Sequence, residues 1–331
     1  MNIEKNVKNL QIHFENNSNN YKKKISFGAK LNILIIIIVL AIYINIKRKI
    51  IKNDFIADFR KKFFFDQYEV DKYNVIKTQL LNTNCSQMGS NQREFLNGII
   101  RKFRPLKILE IGVHFGGSSI IMLNAINDIK NSKLFSIDLN SEEEVGKCVY
   151  KYFPNLLKKW QLFKGNIASK YIKKIGHNID MVFIDTAHFE PGEILDFLIV
   201  LPFLKEGAIV IIHDIAHQLT EGYKRNEWAP YIIFNGIRGY KYLPSGNQIL
   251  KQDIGAVQLE KNQYNYYKDY FRLLGGQWQY FPKEKYIEQI RNYFKKYYDD
   301  ECLTIFEEAV TFNRELVKRS PKLQFYKYNS D

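Results

Sequence analysis

The chain has 331 residues, of which 46% are hydrophobic, so it can bury a substantial core. This composition excludes a chain that is disordered throughout. The 49 lysines and arginines against 35 acids give a formal net charge of +14, which suits either a nucleic acid or an anionic membrane surface as a partner.

The first part of the chain is predicted to lie outside any globular domain. Residues 1–30 are polar and are predicted to be a disordered tail. Residues 31–46 carry no charge and lie between Lys30 and a KRK run. This pattern predicts a single-pass transmembrane anchor, because such a helix spans about 24 Å and its basic flanks can snorkel to the membrane surface. Residues 47–84 are predicted to be a basic juxtamembrane helical segment.

Two other interpretations of residues 31–46 are weaker. A cleaved signal peptide is disfavoured because the run begins late and no small-x-small site follows it. A buried core segment is disfavoured by the basic clusters on both sides. More lysines and arginines follow the run than precede it, so the positive-inside rule favours a cytoplasmic catalytic domain.

Three cysteines, Cys85, Cys148 and Cys302, are scattered along the chain without C-x-x-C spacing. They predict neither a disulfide framework nor a zinc site, and they fit a reducing compartment.

Short apolar runs alternate with helical stretches between residues 85 and 260. Strands are predicted at 107–112, 133–138, 160–165, 180–185 and 207–214. The alternation predicts an α/β fold, a Rossmann-like doubly wound and mostly parallel sheet with helices on both faces. Runs at 236–244 and 253–260 predict a C-terminal antiparallel hairpin, and residues 261–331 a helical extension.

Acidic side chains recur where these strands end. Asp138, Asp185 and Asp214 end or directly follow three of the runs, and Glu110 lies one residue before the end of the first. Because ligands bind at the carboxyl ends of such strands, these acids are predicted to line a binding site.

The first strand leads into a glycine-rich turn, LEIGVHFGGSS. Gly112 and Gly116 allow the backbone to approach a ligand, although a purely structural tight turn is an alternative. The spacing E-x-G-x-x-x-G differs from the dinucleotide pattern, which disfavours a dehydrogenase. Asp138 is placed to accept both hydroxyls of a ribose, and Asn166 to contact an adenine edge.

Two stretches resemble class I S-adenosylmethionine-dependent methyltransferases, in the branch of metal-assisted O-methyltransferases. Residues 88–119 resemble the lead-in and first motif of the catechol and caffeoyl-CoA enzymes. Residues 180–215 resemble a bacterial subfamily that includes sugar O-methyltransferases of macrolide pathways and cephalosporin-hydroxylase-like proteins. The resemblance covers about residues 85–260, which are therefore expected to be the methyltransferase domain.

The resemblance implies S-adenosylmethionine as cofactor and a set of site residues. Those expected to bind the cofactor are Glu110, Gly112, His114, Gly116, Ser118, Asp138 and Asn166. Asp185 and Asp214 match positions that bind Mg²⁺ or another divalent cation, and His188 matches a catalytic base. An acid commonly precedes the second metal aspartate in these enzymes; here that residue is His213, which lowers the anionic charge available to Mg²⁺.

These residues suggest how a hydroxyl would be activated. A metal held by Asp185 lowers the pKa of the hydroxyl, and His188 takes the proton. The alternative is that His188 caps the helix that begins near Pro191. His213 and His217 are interpreted as structural or substrate-facing.

We therefore expect a membrane-anchored O-methyltransferase that acts on a hydroxyl of a glycan or glycolipid precursor. Residues 216–235 are expected to form a substrate loop whose Trp228 and Tyr231 stack on a sugar ring. An RNA methyltransferase, motivated by the charge, and a non-catalytic cofactor-binding or scaffolding protein, motivated by His213, are the alternatives. No nucleic-acid-binding motif is visible, and a homo-oligomer is compatible with the sequence.

Overall fold

The computed structural model of the chain describes residues 80, 83, 85–216, 227–244 and 253–319. The chain divides into two compact units, Met1–Lys61 and Lys62–Asp331, and every described residue belongs to the second. The predicted tail, the predicted anchor and nearly all of the juxtamembrane segment lie outside the described residues and stay predictions. Among the described helices, none has the length and apolar character needed to cross a bilayer.

Seven strands form one sheet in the order β3-β2-β1-β4-β5-β7-β6. The strands are β1 (Lys107–Ile111), β2 (Lys133–Asp138), β3 (Trp160–Lys164), β4 (Ile179–Ile184), β5 (Leu204–His213), β6 (Gly239–Tyr242) and β7 (Ile254–Leu259). Strands β1 to β5 pair in parallel, and β7 pairs antiparallel with both β5 and β6. The predicted mostly parallel α/β sheet and its C-terminal hairpin are confirmed.

Nine α-helices are described around this sheet. They are α1 (Ser90–Phe103), α2 (Gly117–Ala125), α3 (Lys147–Tyr152), α4 (Ala168–Ile175), α5 (Gly192–Val200), α6 (Ala229–Gly236), α7 (Tyr267–Arg272), α8 (Glu284–Tyr297) and α9 (Asp300–Arg319). Short 3₁₀ turns occur at Pro154–Lys159, Leu201–Phe203, Gln263–Tyr266 and Leu273–Gly275.

Helix α2 illustrates how the core is built. All of its residues except Asn124 are buried, and Ile120, Ile121 and Leu123 are fully buried. The helix can be buried all round because it packs against α1 and against β2. Burying each such side chain stabilises the fold by about 1.5 to 3 kcal/mol. The carboxyl end of β1, which leads into α2, is thereby held firmly in place.

The strand order creates a crevice between β1 and β4. The chain passes from β1 through β2 to β3 on one side of this point and from β4 to β5 on the other. Ligands of doubly wound sheets bind where the direction of winding reverses, outside the carboxyl ends of the strands. Here the backbone N–H of Asp185, just after β4, donates to the carbonyl oxygen of Ile111 at 3.0 Å. The two strand ends are therefore joined at this crevice.

The prediction of no disulfide was wrong. Cys85 and Cys148 form a disulfide across 63 residues of sequence, with their Cα atoms 6.0 Å apart. It links the segment before α1 to the start of α3, a proximity that the spacing of cysteines in the sequence cannot reveal. Disulfides are typical of oxidising compartments, so the argument for a reducing compartment no longer holds. Cys302 is buried and free.

The C-terminal helices pack directly on the sheet domain. The hydroxyl groups of Tyr293 and Tyr298 donate to the carbonyl oxygens of Ile199 and Leu198, at 2.6 and 2.5 Å. These carbonyls lie in the last turn of α5, where no intrahelical donor is available. The predicted helical character of this extension is confirmed for the described residues. The extension also supplies hydrogen-bond donors to carbonyl groups at the end of α5.

Candidate active site

The first loop, residues 112–116 between β1 and α2, lies directly against the end of β4. Gly112 has a φ of +88°, and a side chain there would collide with the carbonyl oxygen of Asp185. Gly116 has a φ of +92°, and a side chain there would lie 2.8 Å from the side chain of Val149. Both positions need glycine, because the backbone is left-handed and the space is filled. The two glycines therefore let the loop pack closely against the end of β4 and against Val149.

Asp138, at the end of β2, holds the first loop in shape. One carboxylate oxygen accepts the backbone N–H groups of Val113 and His114 at 2.9 and 3.1 Å, and the other accepts that of Asn140 at 2.8 Å. The side chain of His114 is exposed and stacks on Phe115 at 3.8 Å between ring centroids. Asp138 thus fixes the first loop in shape, and its contact with the ribose of a cofactor stays a prediction.

Glu110 and Ser118 lie beneath the first loop rather than on its surface. The fully buried carboxylate of Glu110 accepts hydroxyl hydrogen bonds from Ser118, Ser119 and Ser136, at 2.6, 2.7 and 2.5 Å. Burial raises the pKa of Glu110 to about 7, although the three hydroxyls partly oppose it. In this structure the polar groups of Glu110 and Ser118 bond to each other and anchor the loop; their direct contact with a cofactor stays a prediction.

Asn166, beyond β3, lies where the C-terminal extension meets the rim. Its side-chain oxygen accepts the backbone N–H of Ile167 at 3.0 Å and the side-chain amide of Gln289 at 3.1 Å. Gln289 belongs to α8 and also donates to Ser169 at 2.7 Å. A helix from outside the predicted methyltransferase domain therefore supports the third strand end.

Asp185, His188 and Asp214 converge beside the first loop, and we call them the Asp–His cluster. The Nε2 atom of His188 lies 3.1 Å from an Asp214 oxygen and 3.8 Å from an Asp185 oxygen. One ligand atom from each residue lies within 4.8 Å of the others. Their side chains retain 25%, 25% and 15% exposure, in the order of the sequence. Asp185 and Asp214 come together because the neighbouring strands β4 and β5 end at the same edge.

The backbone of this cluster is held in an uncommon conformation. His188 and Asp214 both have a φ of +56°, the left-handed region that non-glycine residues seldom occupy. Such conformations concentrate at functional sites, where surrounding contacts maintain them. The N-cap of α5 is Pro191, and the hydrogen bond described for the His188 ring goes to the side chain of Glu193 and not to a helix N–H group, which disfavours the capping alternative.

A buried glutamate that the sequence-based analysis missed orients His188. Glu193 is fully buried, and its Oε1 atom lies 3.1 Å from His188 Nδ1 and accepts the backbone N–H of Thr186 at 3.0 Å. When Nδ1 donates to this carboxylate, the ring is held with Nε2 directed at the two aspartates. Burial opposes the charged imidazole, but Glu193, Asp214 and Asp185 outweigh it and raise the pKa of His188 to about 10.

His213 lies behind the two aspartates and is 9% exposed. Its Nδ1 atom is 3.2 Å from an Asp214 oxygen and 3.4 Å from an Asp185 oxygen. Neither ring nitrogen has a hydrogen bond of acceptable geometry to any residue that the structure describes. Burial opposes its protonation, but the two aspartates raise the pKa of His213 well above its ordinary value. His217 lies outside the described residues.

The segment between α7 and α8 also supports the site. The backbone N–H of Gln279 donates to the carbonyl oxygen of Glu190 at 3.0 Å, and the Gln279 side chain accepts the N–H of Glu190 at 2.9 Å. Sequence analysis did not anticipate this contact, because nothing local in the sequence marks a pairing across 89 residues. Glu193 did carry a signal, since it is an acid in the mostly apolar stretch of α5.

Comparison with known proteins identifies this arrangement. Residues 109–215 match the family model described as a methyltransferase domain. That range contains the first loop, Asp138, Glu193 and the Asp–His cluster. Residues 109–215 are a methyltransferase domain. The predicted enzyme class is thereby confirmed. No curated protein matches the chain.

Several solved structures are similar to the chain at low sequence identity. The O-methyltransferase from Bacillus cereus, in complex with SAH, is 15% identical, with a TM-score of 0.41, over 61% of this chain and 96% of its own. TomG from Streptomyces achromogenes, an O-methyltransferase involved in tomaymycin synthesis and in complex with SAM, is 17% identical, with a TM-score of 0.41, over 61% and 95%. SAH-bound PaMTH1 from Podospora anserina is 14% identical, with a TM-score of 0.43, over 63% and 95%.

The site of the methyltransferase domain extends beyond the matched range. Gln279 and Gln289 lie C-terminal to residue 215, yet they contact Glu190 and Asn166. A fragment that ends at residue 260 would therefore lose two contacts that support the rim.

Proposed function

We propose that the methyltransferase domain transfers a methyl group from S-adenosylmethionine to a hydroxyl group of a small-molecule or glycan acceptor. The observation that carries this proposal is the direct contact of the first loop with the end of β4. Gly112 packs so closely on Asp185 that a side chain there would collide with the Asp185 carbonyl oxygen. The cofactor position and the Asp–His cluster that handles the proton thus share one crevice.

The chemistry assigns a separate task to each group. The bond between sulfur and the methyl carbon breaks as a bond from the acceptor oxygen to that carbon forms, and S-adenosylhomocysteine leaves. Nε2 of His188, the partly exposed imidazole of the cluster, is the acceptor of the hydroxyl proton; it would be free for this role when a cation held by Asp185 and Asp214 offsets the carboxylate charge that raises the pKa of His188. Glu193 keeps that nitrogen directed at the acceptor side. A divalent cation held by Asp185 and Asp214 would lower the pKa of the hydroxyl.

An exposed tryptophan supports a sugar as acceptor. Trp228 is 38% exposed, and the N–H of the next residue, Ala229, donates to the carbonyl oxygen of His188 at 3.3 Å. Tyr231 meets Trp228 edge to face, with centroids 6.0 Å apart. An aromatic surface beside the proton acceptor suits stacking on a sugar ring. Residues 217–226 of the predicted substrate loop lie outside the described residues.

The predicted anchor, residues 31–46, supports a membrane-linked acceptor such as a glycolipid precursor, because enzyme and acceptor would share one surface. The test uses the full-length protein in detergent with S-adenosylmethionine labelled in its methyl group, supplied in parallel with a lipid-linked glycan extract and with total RNA. We expect label in the glycan fraction and, for His188→Ala, a rate lower by about 10² to 10⁴-fold with the cofactor still bound. Label in RNA would overturn the acceptor assignment. Cofactor binding without transfer to either pool would favour a non-catalytic protein.

A further inference from the structure

His213 is the buried polar group that the proposed reaction leaves without a role. It is nine-tenths buried, and both of its ring nitrogens lack a hydrogen-bond partner among the described residues. A buried imidazole with no partner is destabilising by about 1 to 3 kcal/mol, so its retention in the core needs a reason. The carboxylates of Asp185 and Asp214 lie within ion-pair distance of its Nδ1 atom.

The distances around His213 fit the spacing of ligands around one small cation. Its Nδ1 atom lies 3.2 Å from an Asp214 oxygen and 3.4 Å from an Asp185 oxygen. Ligand atoms that are each about 2.1 Å from a shared metal are separated by about 3 to 3.5 Å. One cation between these three atoms would occupy the imidazole lone pair and neutralise both carboxylates. This arrangement explains why the nitrogen has no hydrogen-bond partner.

We propose that His213 Nδ1, Asp185 and Asp214 form a site for a transition-metal ion such as Zn²⁺ or Fe²⁺, in which Mg²⁺ binds poorly. Mg²⁺ selects oxygen ligands in near-ideal octahedral geometry, whereas imidazole nitrogen selects zinc and iron. His213 stands where related enzymes commonly have an acid. This replacement thus changes which metal the site prefers and does not abolish the site. This inference rests on the proposed function only in placing the metal beside the acceptor.

Exposure separates the roles of the two histidines in this site. The His188 side chain is 25% exposed, so its Nε2 atom can reach an acceptor, whereas the His213 side chain is 11% exposed and lies behind the aspartates. His188 also has a carboxylate partner on its other nitrogen, Glu193. His213 is therefore the ligand and His188 the proton acceptor.

The test is metal binding by the full-length protein, stripped with a chelator and then titrated separately with Zn²⁺, Co²⁺ and Mg²⁺ in calorimetry. We expect Zn²⁺ and Co²⁺ to bind at least about 100-fold more tightly than Mg²⁺, and bound Co²⁺ to show visible absorption bands. His213→Asn should weaken Zn²⁺ binding by about tenfold or more. His213→Asp, which restores an acid, should shift the preference towards Mg²⁺. S-adenosylmethionine binding by each variant checks that it is folded.

His177→Asn is the matched control, because His177 is exposed and precedes β4 at the opposite edge of the sheet, where it stacks on Phe203. It should leave Zn²⁺ affinity unchanged. Unchanged Zn²⁺ affinity in His213→Asn, a wild-type preference for Mg²⁺, or loss of Zn²⁺ in His188→Asn but not in His213→Asn would each overturn the proposal. Zn²⁺ binding as expected, without methyl transfer to any acceptor, would leave this site standing and refute the proposed function alone.

Discussion

The Nδ1 atom of His188 lies 3.1 Å from a carboxylate oxygen of Glu193, a side chain with no solvent exposure. This pair joins a core helix to the imidazole of the Asp–His cluster, a side chain that is 25% exposed. The geometry resembles the carboxylate–imidazole pairs that fix a ring tautomer in other enzymes. The effect of this pair on turnover can be measured separately from metal binding and from cofactor binding.

Glu193→Gln should lower the turnover number by at least about tenfold while leaving the dissociation constant of S-adenosylmethionine unchanged. The neutral amide removes the charge that stabilises the imidazolium, and it can also donate to Nδ1 and so select the wrong tautomer. Asp196→Asn is the control, because Asp196 lies on the same helix but accepts a hydrogen bond from Thr186 rather than His188. Equal losses of turnover in both variants would show that helix stability, and not the orientation of His188, is responsible.

Asp138→Ala should weaken S-adenosylmethionine binding by about 10- to 100-fold, because two backbone N–H groups of the first loop, and that of Asn140 after β2, lose a charged acceptor. Asp180→Ala is a matched control. Asp180 also accepts two backbone N–H groups, from Leu106 and Lys107 at 3.0 Å, but does so at the opposite edge of the sheet. Calorimetry should show weakened binding only for the first variant. Comparable weakening in both would mean that the effect is general destabilisation.

Glu110 should make the free energy of unfolding depend on pH. Its folded pKa of about 7 lies above the ordinary 4.5, so folding favours the protonated acid. The stabilisation is complete below about pH 4.5 and is lost as the pH rises through about 7, by on the order of 3 kcal/mol. Glu110→Gln mimics the protonated form and should flatten this part of the profile. Urea unfolding at about pH 4 and about pH 8 measures the difference, and an unchanged slope in the variant would contradict the assignment.

The sequence predicted the fold more fully than it predicted the site. Apolar runs such as Met181–Ile184 reveal strands because parallel strands are buried on both faces. Asp185 and Asp214 could be placed together because parallel strands end at one edge. By contrast, the disulfide of Cys85 and the contact of Gln279 depend on distances between segments that local sequence does not encode.

Residues 31–46 give a prediction that concerns the first unit of the chain. Deleting residues 1–46 should move the protein from the membrane fraction towards the soluble fraction, because the uncharged run is removed. The basic segment that follows can retain part of the protein on anionic vesicles, and raising the salt concentration should release that part. Fractionation of full-length and truncated protein measures this. A full-length protein that is soluble without detergent would refute the anchor.

The disulfide between Cys85 and Cys148 predicts both a stability effect and a compartment. It links the segment before α1 to α3. A side chain at Gly117, the first residue of α2, would collide with the carbonyl oxygen of Cys85, and the backbone N–H of Cys148 donates to Phe115 of the first loop at 3.0 Å. Replacing both cysteines with serine should reduce the free energy of unfolding by about 2 to 4 kcal/mol, measured by urea unfolding without reductant. Cys302→Ser removes the free thiol and serves as the control.

Because disulfides persist in oxidising surroundings, the pair should be found oxidised when cells are lysed directly into denaturant with an alkylating agent. Mass spectrometry that finds all three thiols alkylated would instead place the domain in a reducing compartment, in agreement with the cytoplasmic location that the positive-inside rule predicts.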